Sequence, residues 1–309
     1  MKILISGATG LVGSKLVETL LKRGYKDLRI LTRKAGGTAD RFPQRLEIFE
    51  WNPELKKLDR KALENVDVVI HLAGESVAEG YWTQQKKDRI LNSRLSGTSV
   101  LIEAIKQLNK PPLKFVSASA IGIYGDRNNE PLNEQSKTGE GFLADVCKRW
   151  EALALKHGIT GMQSAILRTG IVLSKNGGAL KQMLPLFKAG LAGTLGSGKQ
   201  YMSWIHIDDL VNQYISLLEK DKIQPVYNAV APTPVTNYTF TKTMGQVLNR
   251  PTFVSMPSTF LKIILGEKSQ LLLASQKVLP ECFMQEGYSF KFKNLEAALK
   301  DLLIPLKDF

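Results

Sequence analysis

Cysteine is scarce: Cys147 and Cys282 are the only two in 309 residues. That is too few for a disulfide framework and offers no metal-ligand spacing, so no metal is expected and a reducing, cytoplasmic setting is. No apolar run approaches the roughly 18–20 residues a membrane span requires, so a membrane partner is not expected. Nor does the start of the chain read as a secretory signal. Lys2–Ser6 runs straight into a glycine turn without a longer apolar stretch or a cleavage site, and the N-terminus is expected to be structural. Low-complexity linkers and internal repeats are missing too, which at this length points to one α/β core carrying a smaller lobe.

Positive charge is what the chain has in surplus, 42 Lys and Arg against 29 Asp and Glu, a formal net charge of +13. Clustered cations can neutralise nucleic-acid phosphates. Here they are scattered over expected helices and loops and no nucleic-acid module is present, so nucleic acid is not expected as a partner.

Short β-branched or leucine-rich runs alternate with helical patterns. The runs are KILIS, LRILT, RLEIFEW from Arg45, VDVVIHLA, LKFVSASA and MQSAILRTG, and helices are expected over Leu11–Arg23, Thr83–Leu108 and Gly141–His157. This alternation predicts an α/β fold with a Rossmann doubly wound parallel sheet, its strands apolar enough to be covered on both faces. The boundaries read as a Rossmann domain over 1–170, completed by about 204–230, and a smaller C-terminal substrate lobe from 171–203 and 231–309. The stretch Tyr124–Gly141 reads as a solvent-exposed loop at the carboxyl edge of the sheet, where ligands bind in such folds.

In KILISGATGLVGSKLVETLL three glycines with GxxGxxG spacing separate a strand from an amphipathic helix. Gly7 permits the tight turn, Gly10 keeps a Cβ away from a pyrophosphate, and Gly13 lets helix and strand pack closely. The helix N-terminus offers N–H groups and partial positive charge, with Thr9, Leu11 and Val12 as neighbouring contacts. In NAD-binding units an acid about 20 residues on grips the ribose 2′-hydroxyl. This chain has Leu31, Thr32, Arg33 and Lys34 there instead. Arg33, helped by Thr32 or Lys34, suits a 2′-phosphate and hence NADP(H).

The GATGLVG turn, HLAGE at 71–75, SASAIGIYG at 117–125, PLNE at 131–134 and WIHIDDL at 204–210 together resemble an extended short-chain dehydrogenase/reductase. More closely the chain is similar to the atypical epimerase-family branch of the YfcH type, related to the human short-chain dehydrogenase family 39U member. The resemblance covers essentially the whole chain, with a C-terminal segment at about 251–299 like the small domain that closes this branch. It implies that Leu72, Ala73, Gly74 and Glu75 pass beneath the cofactor ribose and pyrophosphate, and that the backbone near Ile171 borders the nicotinamide. It also places Arg94 at the Asn of an N-V-x-G-T run. Five residues earlier Arg89 lies on a neighbouring face of the same expected helix, and two cations there suit phosphates or an anionic substrate.

The same resemblance exposes a gap. Short-chain dehydrogenases use the Tyr of YxxxK as acid/base, and counting back four from Lys148 reaches Ala144. Lys148 remains for the ribose contact. The carbonyl-polarising serine falls on Ala120 in a gapless match and on Ser119 after a shift of one; Ser119 is the candidate taken forward. Tyr124 is either a substitute proton donor or a packing residue, and Glu75, directly after the fourth strand, is a second candidate acid or base near the cofactor or else a surface carboxylate. His206, Asp208 and Asp209 read as a strand-to-helix junction with an Asp cap. Two function classes follow: an NADP(H)-dependent oxidoreductase or epimerase-like enzyme on a small hydroxyl or carbonyl substrate, possible as a homodimer, and a non-catalytic NADP(H)-binding redox sensor or scaffold.

Overall fold

The computed structural model describes residues 1–34, 42 and 46–304; Arg45, the expected start of the third strand, and the lobe's last residues 305–309 lie outside them. The strands are β1 (Ile3–Ser6), β2 (Leu28–Thr32), β3 (Glu47–Asn52), β4 (Lys57–Leu58), β5 (Val68–His71), β6 (Lys114–Ala120) and β7 (Pro131–Leu132). They continue as β8 (Gln163–Thr169), β9 (Ile171–Leu173), β10 (Tyr201–Met202), β11 (Trp204–His206), β12 (Val226–Ala229), β13 (Val235–Thr236) and β14 (Lys277–Val278). The helices are α1 (Leu11–Lys22), α2 (Gln84–Lys106), α3 (Phe142–Leu155), α4 (Gly178–Lys188) and α5 (Ile207–Glu219). After them come α6 (Asn237–Leu248), α7 (Ser258–Leu265), α8 (Gln270–Leu273), α9 (Glu281–Gln285) and α10 (Leu295–Leu303).

Eight strands form the central sheet in the order β12-β8-β6-β5-β1-β2-β3-β4. All neighbours are parallel except the β3–β4 hairpin. Ile3 pairs with Leu28 on one side and with Val68 on the other, so the strand order reverses at β1 and opens a crevice beyond its carboxyl end. Every residue of β1 and β5 is buried, as helices on both faces require. Helix α1 forms because Gly13, Leu16, Val17 and Leu20 recur on one face, and it stops at Gly24, whose φ of +88° no longer continues a right-handed turn.

A second hydrophobic core gathers Leu180 and Phe187 of α4, Phe240 and Met244 of α6, Leu295 and Leu299 of α10, and Trp204, while Phe283 and Phe290 of the C-terminal segment join the main core. The stretch Tyr124–Gly141 corrects an expectation. It is no free loop, because Pro131–Leu132 pair in parallel with Lys277–Val278 and Leu132 is fully buried. Asp126 accepts from the Ser275 N–H at 3.0 Å and Asn133 donates to Glu281 at 3.0 Å, so side chains that look solvating in sequence instead dock the C-terminal segment.

Candidate functional site

At the sheet crevice the glycines are fixed by contact as well as by φ. Gly7 has φ +72°, and a Cβ there would stand 2.8 Å from Leu72 C and Ala73 N, the first backbone after β5. A Cβ on Gly13 would lie 2.2 Å from Gly7 O. Gly10 caps α1 with no side-chain hydrogen bond and no acid follows in the first turn, which leaves the helix N-terminus for an anion. Thr9 and Gly10 are exposed at the rim, while Leu11 and Val12 are half-buried. Leu11 is roofed by residues that sequence reasoning missed: a Cβ on Gly177 would come 3.0 Å from Leu11 Cδ1. The adjacent glycines 177 and 178, at the start of α4, were the available signal.

Behind this turn Ser6 Oγ and His71 Nδ1 share a 2.6 Å hydrogen bond, and Ser6 Oγ accepts from the Ala73 N–H at 3.4 Å. Burial pushes the His71 imidazole down to about 3, with Arg94 adding to the shift, so the ring is neutral. Trp51, Phe115 and Trp150 surround it at centroid distances of 6.2–6.4 Å.

The loop Leu72–Glu75 is held by α2. Ser93 Oγ accepts from the Glu75 N–H at 3.0 Å, and Arg94 donates to Glu75 O at 3.0 Å and to Ile90 O at 2.9 Å. The Arg94 guanidinium lies over the Trp150 ring at 5.1 Å and against Gly74, where a Cβ would meet its Cζ at 3.2 Å. Arg94 is therefore packed beneath the loop, whereas Arg89 is exposed. The Glu75 carboxylate gathers the cations: a 2.6 Å hydrogen bond from Lys86 holds its pKa below the usual carboxylate range, and Arg89 and Arg33 add to the effect. Arg33 is exposed just past β2 and Thr32 is half-buried. Lys86, buried on α2, is a further residue the sequence reading did not single out.

Along α3 the acid/base position is filled by Ala144, which is 1% exposed. Lys148, one turn on, keeps 37% of its side chain exposed, with Asp145 at 3.4 Å. Ser119 lies in β6 opposite Arg168 and donates to Glu151 Oε1 at 2.7 Å. Glu151 also takes the Arg168 guanidinium through Nη2 at 2.8 Å and Nε at 3.0 Å. Arg168 Nη1 donates in turn to Tyr124 Oη at 2.9 Å, and Tyr124 Oη lies 2.7 Å from Asn228 Oδ1 and 2.9 Å from Asn133 O. Tyr124 is wholly buried, so its hydroxyl both accepts and donates within the core. Burial raises its pKa and Arg168 opposes the shift. Ser119 likewise spends its single proton on Glu151, leaving lone pairs rather than a donor.

Beside this network, Glu134 of PLNE accepts from Asn228 N–H at 2.9 Å and Cys282 N–H at 3.2 Å, and burial raises its carboxyl pKa. Ile171 opens β9, half-buried. The preceding Gly170 has no room for a side chain, since a Cβ would stand 2.5 Å from Ser203 O. The helix α5 junction is capped by His206, whose Nδ1 accepts from the Asp208 N–H at 3.1 Å; this corrects the expected Asp cap. Asp209 instead accepts from Lys291 and Phe292 N–H groups at 2.8 Å each. Ligand atoms of His206, Asp208 and Asp301 lie within 4.8 Å of one another, but Asp208 is already neutralised by Lys15 at 3.1 Å and Lys291 at 3.4 Å. The smaller lobe also reaches the cofactor side directly: Lys268 donates to Gly80 O at 3.0 Å and Glu267 pairs with Lys87.

Residues 3–229 match the NAD dependent epimerase/dehydratase family, and residues 256–302 match a domain of unknown function. An epimerase family protein of Mycobacterium tuberculosis is 35% identical over 96% of both chains. Epimerase family protein SDR39U1 of Mus musculus is 34% identical over 98% of this chain and 100% of its own length. Among solved structures, human epimerase family protein SDR39U1 (isoform 2) with NADPH superposes with a TM-score of 0.89 at 32% identity, covering 99% of this chain and 100% of that one.

Proposed function

The chain belongs to the NAD dependent epimerase/dehydratase family, and from that premise we propose that it binds NADP(H) and acts as an oxidoreductase or epimerase-like enzyme on a small hydroxyl or carbonyl compound. The observation that carries the cofactor choice is the convergence of Arg33, Lys86 and Arg89 on Glu75 at the edge of the glycine cradle. Cations at the end of β2 favour a 2′-phosphate, and β2 ends in Thr32, Arg33 and Lys34 where NAD-binding units carry an acid. The human relative with NADPH supports the same reading.

The residues fit a dinucleotide. Gly7, Gly10 and Gly13 leave backbone unshielded by any Cβ where a pyrophosphate approaches, and the α1 N–H groups with Thr9, Leu11 and Val12 line it. A bound nicotinamide would supply hydride exchange with a substrate carbon. Loop 72–75, fixed by Arg94 and Ser93, would support the ribose and pyrophosphate, and Ile171 would border the ring. Lys148 holds the nicotinamide ribose and carries the proton that leaves or reaches the substrate oxygen, since Ala144 carries none. Ser119, 4% exposed, remains the candidate to orient a substrate hydroxyl, and could do so only as an acceptor, its own proton being directed to Glu151. Tyr124 braces Arg168.

A second reading, an NADP(H)-binding redox sensor or scaffold, is favoured by the engagement of both Ser119 and Tyr124 and by the burial of Ala144. Calorimetric titration with NADPH and NADH tests the shared premise: NADPH binds at least about tenfold more tightly, and equal affinities overturn it. NADPH turnover over a panel of small aldehydes and ketones then separates enzyme from sensor.

A further inference from the structure

One face of the smaller lobe carries no function in the reading above. In helix α7, Phe260, Ile263 and Ile264 stand at i, i+3 and i+4, a single stripe, yet they are 49%, 81% and 46% exposed. Only Leu261 of that helix is buried. Just before it, Phe253 is 75% and Val254 47% exposed. A helix normally turns such a stripe inward, and this one turns it to solvent.

The segments that carry the stripe and pack beside it hold only positive charge up to Glu267, which follows α7 and pairs with Lys87. No Asp or Glu occurs between Glu151 and Asp208, nor between Asp221 and Glu267. The two acid-free segments are neighbours in space: Leu195 bridges to Met256, Met256 N–H donates to Thr194 O at 2.9 Å, and Arg250 Nε donates to Lys188 O at 2.9 Å. Lys188, Arg250 and Lys262 are exposed on them.

We infer that this face of the smaller lobe docks on an anionic lipid surface, with α7 lying in the interface plane. Exposed Phe and Ile enter the headgroup boundary while the surrounding Lys and Arg meet lipid phosphates, the pattern of an interfacial helix. A protein interface depletes Lys at its core and a nucleic-acid surface has no use for aliphatic stripes, so neither matches as well. Among the described residues no helix is long and apolar enough to cross a membrane. A contact that lies on the surface needs none, so the expectation of no membrane partner, drawn from the lack of a spanning run, does not bear on it.

The full chain is sedimented with vesicles of mixed phosphatidylglycerol and phosphatidylcholine and with phosphatidylcholine vesicles alone. It is expected to sediment with the anionic vesicles at least about tenfold better than with the neutral ones, and less as salt is raised. Phe260→Ser with Ile263→Ser should lower vesicle binding about tenfold and leave thermal stability and NADPH affinity unchanged, these side chains being exposed. Lys262→Glu with Arg250→Glu should remove the preference for anionic lipid. Equal sedimentation with both vesicle types, or binding that survives the serine pair, overturns the inference. So does a dimer in analytical ultracentrifugation that the serine pair dissociates while no vesicle binding is seen, since the stripe then belongs to an interface between copies.

Discussion

Ser119 directs its hydroxyl proton to Glu151 Oε1, 2.7 Å away, and Glu151 is held from its other side by Arg168. Both ionic side chains are buried, so removing one charge leaves the other buried and uncompensated. Glu151→Ala is expected to cost about 3–5 kcal/mol in urea denaturation. Glu151→Leu combined with Arg168→Met should recover a large part of that loss, because the apolar pair strands no charge. Additive losses in the double variant would show that the pair is not coupled.

Tyr124 and Lys148 separate structure from chemistry. Tyr124→Phe deletes a buried hydroxyl bonded to Arg168 and Asn228 and is expected to lower stability by about 1–3 kcal/mol, with turnover per folded molecule unchanged. Lys148→Met, at a half-exposed position, should shift stability by under about 0.5 kcal/mol and reduce NADPH affinity or turnover by about tenfold or more. Thermal melts and steady-state kinetics on both variants check the contrast; a Tyr124→Phe enzyme that folds normally and fails to turn over would restore the phenol as proton donor.

Arg33→Ala should weaken NADPH by about 10- to 100-fold and NADH by no more than about twofold, the scale of one hydrogen-bonded charge on a phosphate. Paired calorimetric titrations provide the measurement, and equal losses would remove Arg33 from the 2′-phosphate.

His71 predicts a pH dependence. Its folded pKa is about 3 against an ordinary 6.5, so below pH 6.5 the unfolded chain binds a proton that the folded chain refuses. That contribution is flat above about pH 6.5 and is lost as pH falls toward 3, with a slope approaching 1.4 kcal/mol per pH unit. His71→Asn removes the titration, so its stability should fall less steeply than the parent's between pH 6.5 and 4. Parallel slopes in urea titrations would show that His71 does not titrate between the two states.

The parallel sheet and the glycine cradle were legible because they rest on local signals, apolar strand runs and a turn that tolerates no Cβ. Helix α2 was expected over Thr83–Leu108 and spans Gln84–Lys106 with Thr83 as its cap. What escaped depends on partners distant in sequence. Nothing near Tyr124 announces Asn228 or Arg168, nothing near Lys86 announces a carboxylate across the loop, and PLNE reads as solvated until Lys277–Val278 pair with it. The cap of α5 was misassigned for a related reason: imidazole and carboxylate both accept an N–H, and only the fold diverts Asp209 to the 291–292 backbone.

The pairing of Pro131–Leu132 with Lys277–Val278 also bears on how the chain reaches its fold. Asn228, at the edge strand of the central sheet, is tied from the same side by Leu279 O at 3.0 Å. Contacts of such sequence separation close large loops before they are rewarded, which slows folding and raises contact order. During synthesis the cover over Leu132 and Tyr124 is therefore incomplete until residues 277–279 have left the ribosome, and a chain cut before that point would present this apolar surface to chaperones and proteases.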